Sequence, residues 1–323
     1  MHAIIAQHTG GPEVLEYTDA APPQPGPGQL RFRVAATGVN FIETYQRQGI
    51  YPLPFPWTPG AEASGVVDAV GEGVTGFSVG DRIATAEGSS CYAEFALVDA
   101  DQALPVPDAL DLETAAALPL QGMTAHYLVT SSFPAGPDTT ALVHAGAGGV
   151  GLLLIQLLKA RGARVITTVS TPEKAELARG AGADLVAGYE DFTRQARGFT
   201  DGRGVDVVYD GVGRDTFDGS LASLRVRGTL VLFGAASGPV PPVDPQRLNS
   251  SGSLFLTRPT LGHHLLDAEE RRWRSSEVFG AAAAGELTVR IGARYPLSRA
   301  ADAHRDLAAR RTTGKVLLVP DAS

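Results

Sequence analysis

A glycine-rich segment near the middle of the chain constrains the fold most. The apolar residues 141–145 have the pattern of a buried strand, and a mostly apolar helix pattern covers residues 150–160. Between them, Gly146, Gly148 and Gly151 have the spacing G-x-G-x-x-G. These glycines permit a tight turn, close approach of a pyrophosphate and close packing of helix on strand, while the helix N-terminus attracts phosphate. The segment predicts a dinucleotide site; a glycine loop that merely turns the chain is the alternative.

The end of the next strand indicates which dinucleotide binds. Enzymes that use NAD place an acidic residue there, about 20 residues after the glycines, to hold the ribose 2′-hydroxyl. This chain instead has Ser170, Thr171 and Lys174. Two hydroxyls and one ammonium suit a 2′-phosphate, so the sequence favours NADP(H). The alternative is that Ser170 and Thr171 only cap a helix starting at Pro172.

Length and composition limit the class of protein. The chain has 323 residues, a net charge of −8 and one cysteine, Cys91. Its length suggests two domains, and a single cysteine excludes an intrachain disulfide. The acidic charge argues against a nucleic-acid or anionic-membrane surface, and no apolar run has the length of a membrane span. The strand-like start at residues 1–6 is not expected to be a signal peptide. We therefore expect a cytoplasmic protein.

The order of patterns predicts an α/β fold. Residues 1–120 are mostly strand-like, with clear strands at 29–39 and 63–70, and residues 112–129 have a helical pattern. Strands and helices then alternate over 139–257, which is typical of a doubly wound parallel sheet. The tail has helical patterns at 268–284 and 300–310 and an apolar strand at 316–319. We expect that last strand to rejoin the sheet of the first domain.

A specific combination of motifs covers residues 38–45, 49–52, 209–216, 233–234, 237–238 and 257–259, together with the glycine loop. This combination resembles one known family, the zeta-crystallin-type quinone oxidoreductases of the medium-chain dehydrogenase/reductase superfamily. The resemblance implies a GroES-like catalytic domain (1–123 and 260–323), a Rossmann NADP(H)-binding domain (124–259), a cofactor in the cleft and a homodimer.

The resemblance also implies contacts to the cofactor. The positions that match are Asn40, Tyr45, Thr124, Gly146, Gly148, Gly149, Val150, Gly151, Ser170, Lys174, Tyr189, Phe233 and Arg310. At three positions the chain departs from its relatives. Gln121 stands where related enzymes often have lysine, Glu43 replaces a more usual aspartate, and Gly211 replaces a serine.

The zinc ligands of related alcohol dehydrogenases have no equivalents here. Asn40 occupies the region of the first cysteine ligand, and Ala61-Glu62 replaces a His-Glu pair. Zinc requires thiolates and imidazoles in a tetrahedral arrangement, and one cysteine cannot form a four-cysteine lobe. The sequence therefore predicts no metal site.

These observations favour an NADPH-dependent reductase of quinones that needs no metal. The predicted catalytic residues are Asn40, Tyr45 and Tyr51, acting by position and not as obligatory proton donors. An enoyl or 2-alkenal reductase of the same superfamily is the alternative enzyme. A structural or RNA-binding protein of the zeta-crystallin type is the alternative of a different class.

Four other features have ordinary explanations. The sequence His304-Arg305-Asp306-Leu307 resembles the start of a kinase catalytic loop, but we expect a solvated helix face. The pair His263-His264 is not expected to bind a metal. We expect His144 to be a core or backbone-bonded histidine and Cys91 a small buried residue.

Overall fold

The structure is a computed structural model, and it describes residues 1–321. The strands are β1 (His2–Ile5), β2 (Glu16–Asp19), β3 (Gln29–Val39), β4 (Ala63–Val70), β5 (Arg82–Thr85), β6 (Phe95–Asp99), β7 (Leu104–Pro105), β8 (Thr140–Val143), β9 (Arg164–Thr168), β10 (Leu185–Ala187), β11 (Val205–Asp210), β12 (Leu224–Leu232), β13 (Phe255–Thr257), β14 (Ile291–Pro296) and β15 (Lys315–Val319). The α-helices are α1 (Phe41–Arg47), α2 (Leu112–Ala116), α3 (Pro119–Tyr127), α4 (Gly149–Ala160), α5 (Pro172–Gly180), α6 (Phe192–Phe199), α7 (Phe217–Ser223), α8 (Pro245–Ser250), α9 (Ala268–Ala283) and α10 (Ala300–Ala308).

The chain divides into two compact units. The first contains residues 1–123 and 267–323, and the second contains 124–266. The first boundary coincides with the one expected from the sequence, and the second follows residue 266 where the sequence expectation was 259. No described helix combines the length and apolar character needed to cross a membrane.

The second unit is built on a parallel six-stranded sheet. Its strand order is β10-β9-β8-β11-β12-β13. Numbered within the unit, this is the order 3-2-1-4-5-6 of a Rossmann fold, so the predicted doubly wound sheet is confirmed. All four residues of β8 and all six of β11 are buried, as expected of central strands in a parallel sheet.

The first unit is built on a seven-stranded sheet around the long strand β3. The half of β3 near Gln29 pairs with β6, and the half near Val39 pairs with β15. The C-terminal strand thus returns to the sheet of the first unit, as predicted. Both faces of this strand are apolar, and Val316, Leu317 and Leu318 are buried.

Three of the differences between the structure and the expected elements have a clear physical reason. The helical pattern of 112–129 is broken into α2 and α3 because Pro119 cannot continue a helix from Ala116. Strand β14 was not predicted, since Gly292 and Pro296 weaken its pattern; it gains its place by pairing with β15. Helix α1 was not predicted either, although Asn40 and Glu43 form the start of a helix-capping motif.

Candidate active site

The glycine turn has the geometry of a dinucleotide cradle. A Cβ on Gly146 would lie 2.0 Å from the Thr167 hydroxyl oxygen, and one on Gly151 would lie 2.3 Å from the Ala145 carbonyl oxygen. These two glycines are therefore required by packing within the turn. At Gly148, the N-cap of α4, a Cβ would meet only the Ala145 carbonyl oxygen, at 3.2 Å. Its other sides are open, so a ligand can approach the free N–H groups at the start of α4.

The carboxyl end of β9 presents hydroxyls and an ammonium, as predicted. The Thr171 hydroxyl accepts the Lys174 backbone N–H at 3.3 Å and caps α5, which begins at Pro172. The Lys174 ammonium lies 3.5 Å from the Ser170 hydroxyl. The Glu173 carboxylate turns back to its own N–H and to the Thr171 hydroxyl, which lowers its pKa. Thr171 thus has the capping role, while the Ser170 hydroxyl and the Lys174 ammonium lie together beside it.

A buried hydrogen-bond network holds the turn in place. Asp210 accepts the N–H groups of Val212 and Gly213 and the hydroxyls of Thr216 and Ser220, at 2.8–2.9 Å. Because Ser220 donates to Asp210, its oxygen accepts from His144 Nε2, which lies 2.9 Å away.

The other nitrogen of His144, Nδ1, then accepts from the Thr168 hydroxyl at 2.9 Å. Burial lowers the pKa of His144, so the ring is neutral. The predicted core role of His144 is confirmed, with side chains and not backbone as its partners.

The remaining predicted cofactor-binding residues of the second unit differ in how deeply they are buried. Tyr189 is half-buried and stacks on His144, with ring centroids 6.2 Å apart. Phe233 is half-buried beside Gly211, where a Cβ would lie 2.8 Å from the Phe233 ring. A side chain at 211 would therefore require the Phe233 ring to move. Thr124 is buried on α3.

In the first unit, Asn40 lies between β3 and α1. Its backbone N–H donates to the Glu43 carboxyl group at 2.8 Å, which fixes the first turn of α1. Asn40 is 4 % exposed, and Glu43 is buried with it. The Asn40 amide therefore projects into the interior of the unit.

The amide of Asn40 belongs to a buried cluster with Lys315 and Glu62. The Lys315 ammonium donates to Asn40 Oδ1 at 2.8 Å and forms a close ion pair with Glu62 Oε2. Asn40 Nδ2 donates to the same Glu62 oxygen at 2.8 Å. The second Glu62 oxygen accepts the backbone N–H of Leu120, near the start of α3, at 2.8 Å. Both Glu62 oxygens are thus satisfied within the unit.

Gly38 makes room for this cluster. A Cβ at Gly38 would lie 2.2 Å from Glu62 Oε2 and 2.6 Å from the Lys315 ammonium. Any other residue at this position would displace the ion pair. The sequence Gly38-Val39-Asn40 is therefore explained by the packing around Lys315.

Two polar atoms beside the cluster have no partner among the described residues. Burial raises the pKa of Glu43 to about 8, although the Lys315 ammonium opposes the shift. Glu43 is thus protonated at neutral pH, and its Oε1 lacks a hydrogen-bond partner. Gln121 Nε2 donates to Asn40 Oδ1 at 3.3 Å, whereas Gln121 Oε1 is buried and without a partner.

Tyr45 and Tyr51 form an aromatic pair in the same unit. Their rings pack edge to face with centroids 6.0 Å apart, and Phe41 lies 6.3 Å from Tyr45. Tyr51 is 43 % exposed, so part of the aromatic surface of the pair is accessible to a ligand. Arg310 is exposed after the end of α10, in a left-handed backbone conformation with φ 57°.

The structure corrects one prediction and confirms another. His304 is not on a solvated face: it is fully buried, with Nε2 3.0 Å from the Tyr92 hydroxyl and Nδ1 3.3 Å from Arg47. The side of α10 that carries His304 packs into the apolar core around Tyr92 and Leu307. Cys91 is buried, as predicted, and burial raises the pKa of its thiol.

Among residues 1–321, no group of three or more His, Cys, Asp or Glu side chains has a metal-binding arrangement. His264, one of the two adjacent histidines, stacks on Tyr127 with ring centroids 4.2 Å apart.

Lys315 was not anticipated as a site residue. The one sequence feature that points to Lys315 is its place at the start of an apolar strand, in a chain with only three lysines. Its partners lie more than 250 residues earlier, so no local spacing could identify them.

Two family models match the chain. The model for the alcohol dehydrogenase GroES-like domain matches residues 26–108, and the model for zinc-binding dehydrogenases matches residues 149–273. The first lies within the first unit, in agreement with the predicted GroES-like fold. The second covers the start of α4 and most of the parallel sheet.

Three similar proteins cover nearly the whole chain. A quinone oxidoreductase of Pseudomonas aeruginosa is 46 % identical over 96 % of this chain and 97 % of its own length. A 2-haloacrylate reductase of a Burkholderia species is 41 % identical over 99 % of both chains. A mycobacterial protein solved in complex with NADPH is 53 % identical, with a TM-score of 0.97 over 99 % of this chain and 100 % of that one. The chain therefore belongs to the quinone oxidoreductase family of the medium-chain dehydrogenase/reductase superfamily.

Proposed function

We propose that this protein is an NADPH-dependent quinone oxidoreductase that works without a metal. One observation carries the proposal: the end of β9 presents Ser170 and Lys174 instead of an acid, in a chain 46 % identical to a quinone oxidoreductase. The NADPH complex of the mycobacterial relative supports the choice of cofactor.

The residues of the second unit fit NADP(H). The open side of Gly148 and the N–H groups of Gly149, Val150 and Gly151 would hold the pyrophosphate. Ser170 and Lys174 would hold the 2′-phosphate by charge-assisted hydrogen bonds. We propose Thr124, Tyr189, Phe233 and Arg310 as further contacts. When bound, NADPH supplies the reducing equivalents.

The first unit would position the acceptor. Asn40 Oδ1 already accepts two hydrogen bonds, and one N–H of its amide donates to Glu62. Its second N–H has only a long contact, 3.5 Å, to the Gly38 carbonyl oxygen. We propose that this N–H donates to an oxygen of the nicotinamide or of the acceptor. Tyr45 and Tyr51 would pack against flat rings through their faces and edges.

The chemistry of quinones explains why their reduction needs neither a metal nor a dedicated proton donor. Reduction of an isolated ketone concentrates charge on one oxygen, which calls for a Lewis acid or a strong proton donor. A quinone gains aromaticity and spreads the charge over two oxygens. At the place of the zinc ligands of related enzymes, the oxygens of Asn40 and Glu62 surround the Lys315 ammonium. The positive charge that zinc supplies in related enzymes is thus replaced here by the Lys315 ammonium.

A second candidate function is reduction of a conjugated carbonyl compound. The similarity to a 2-haloacrylate reductase, at 41 % identity over 99 % of both chains, favours it specifically. An enone and a quinone both accept reducing equivalents at a conjugated carbon system. The same cofactor site serves both reactions.

We also propose a homodimer formed at the edge of the parallel sheet. Strand β13 is the last strand of that sheet and, among the described strands, pairs only with β12. Phe255 on this edge is 61 % exposed. An exposed apolar edge strand favours pairing with a second copy. The buried single thiol and the acidic net charge support a cytoplasmic location and no nucleic-acid partner.

The test is NADPH oxidation measured with para-benzoquinone, an enal, an enone and an isolated ketone in parallel. We expect the quinone to be reduced fastest, and no turnover of an isolated ketone. Reduction of the enone or enal with no reduction of any quinone would transfer the assignment to the second candidate.

A further inference from the structure

We propose that Lys315 is a positioning residue, which fixes the direction of the Asn40 amide toward the bound nicotinamide. This inference rests on the proposed function and, of the two partners proposed there for the Asn40 N–H, takes the nicotinamide. It concerns a residue on the C-terminal strand that none of the predicted contacts includes.

The hydrogen-bond chemistry allows only one orientation of the amide. An ammonium has donors and no acceptor, and a carboxylate has acceptors and no donor. Asn40 Oδ1 lies 2.8 Å from the Lys315 ammonium, and Nδ2 lies 2.8 Å from Glu62 Oε2. A flipped amide would place Nδ2 against the ammonium and Oδ1 against the carboxylate. Lys315 and Glu62 together therefore fix the positions of Oδ1 and Nδ2, and with them the direction of the second N–H on Nδ2.

The cluster holds Lys315 rigidly. The Lys315 side chain is 1 % exposed, and its ion-pair partner Glu62 is fully buried. Gly38 allows this close approach, since a Cβ there would collide with both charged groups. A buried, hydrogen-bonded ion pair has one geometry, in contrast to a solvated pair that exchanges between several.

The orientation of the Asn40 amide also determines the orientation of the Gln121 amide. Because Asn40 Oδ1 is an acceptor, Gln121 must present Nε2 to it, which leaves Gln121 Oε1 facing away. This oxygen is buried and has no partner among residues 1–321. A buried acceptor is costly unless a donor reaches it. The unpartnered oxygen marks a place for an N–H or hydroxyl donor of a ligand, and the lysine of related enzymes would offer no such acceptor.

The experiment compares binding of two ligands to four proteins and one control variant by titration calorimetry. The ligands are NADP⁺ and adenosine 2′,5′-bisphosphate, which lacks the nicotinamide half. The proteins are the wild type, Asn40→Ala, Lys315→Met and the double variant. Lys159→Met is the matched control, because Lys159 also binds a carboxylate, Asp184, at 2.8 Å but belongs to the second unit. The kcat and KM of quinone reduction are measured for each protein.

We expect Lys315→Met to lower the affinity for NADP⁺ by about fivefold or more and kcat by about tenfold or more, through lost positioning. Affinity for adenosine 2′,5′-bisphosphate should stay the same. The double variant should lose no more than Asn40→Ala alone, because Lys315 acts through Asn40. The Lys159→Met protein should match the wild type.

Removing Lys315 leaves Glu62 buried without its counter-charge. If Lys315→Met does not fold, the neutral pair Lys315→Met/Glu62→Gln replaces it. The same losses are expected, because the amide introduced at position 62 can either donate or accept and no longer fixes the Asn40 amide.

Three results would overturn the inference. The first is a double variant whose losses exceed those of Asn40→Ala by the full loss of Lys315→Met. The second is an unchanged Lys315→Met protein beside an impaired Asn40→Ala protein. The third is normal NADP⁺ binding by Asn40→Ala, which would show that the proposed roles of both residues are wrong.

The binding measurements separate this inference from the proposed function. A wild-type protein that binds NADP⁺ but reduces no quinone contradicts the proposed function alone. The binding comparison between Lys315→Met and Asn40→Ala then still decides the role of Lys315.

Discussion

The Lys315 ammonium donates to Asn40 Oδ1 at 2.8 Å, across 275 residues of sequence. The contact joins the C-terminal strand to the N-cap residue of α1. It exists because β15 pairs with the end of β3, where Val316 lies opposite Val39. The pairing of β15 with β3 thus brings Lys315 beside Asn40, a candidate catalytic residue.

Cofactor preference should depend on Lys174. Lys174→Ala removes the ammonium proposed to bind the 2′-phosphate, and one charge-assisted hydrogen bond contributes about 1.5–3 kcal/mol. We therefore expect NADPH affinity to fall about tenfold or more, with NADH affinity nearly unchanged. Fluorescence titration with both cofactors measures this. Lys159→Ala is the control, and equal losses for NADPH and NADH would refute the assignment.

Activity should not depend on a metal. The positions of the zinc ligands in related enzymes carry Asn40 and Ala61-Glu62 here, and a lysine ammonium is bound among their oxygens. Prolonged treatment with a chelator should leave quinone reduction intact, and elemental analysis should find no stoichiometric zinc. One zinc per chain, with activity lost on its removal and restored on its return, would show the opposite.

The dimer should require an apolar β13. Phe255→Lys places a charge on the exposed edge of the parallel sheet and should yield monomers or aggregates, because burying an unpaired ammonium is unfavourable. Light scattering after gel filtration measures the mass. Val79→Lys is the matched control, since Val79 is a similarly exposed apolar residue, 65 % against 61 %, in the first unit. A wild-type monomer at micromolar concentration would contradict the proposed interface.

Stability should depend on pH through His304. Burial and the neighbouring Arg47 guanidinium lower the pKa of His304 to about 3 from an ordinary 6.5. Because the unfolded chain binds the proton more readily, the contribution of His304 to stability is complete above about pH 6.5 and is lost as the pH falls toward 3.

The comparison is with His304→Gln, which cannot titrate. The free energy of unfolding of the wild type, relative to this variant, should fall by about 1.4 kcal/mol for each pH unit well below 6.5. Urea unfolding between neutral pH and the onset of acid denaturation measures the difference. A difference that does not change with pH would show that His304 is protonated in the folded protein as readily as in the unfolded one.

Much of the fold follows from local patterns. The bounds of β3 and β4 were predicted as observed, and the glycine spacing located the start of α4 within one residue. Strand β14 was missed because its strand character comes from pairing with β15 and not from its own composition. His304 was misplaced because the side of α10 that packs on the core is set by tertiary contacts.

In the candidate site, too, some residues follow from local sequence patterns and others only from tertiary contacts. Ser170, Lys174 and the glycines follow one another closely in sequence, so motif spacing found them. The cluster of Asn40, Glu62 and Lys315 is assembled from three separate segments. The family resemblance predicts Asn40, whereas no local sequence pattern identifies the lysine that orients it.

The most direct test of the central claim, that position and not a dedicated acid drives the reaction, is steady-state NADPH oxidation with para-benzoquinone. The wild type is compared with Tyr45→Phe and Asn40→Ala. Tyr45→Phe should lower turnover only a few-fold, because a reduced quinone can take its protons from water. Asn40→Ala should lose up to about 10²-fold, the effect of misplacing a reactant by ~1 Å. Abolished turnover in Tyr45→Phe with normal NADPH binding would contradict the account and make Tyr45 a general acid.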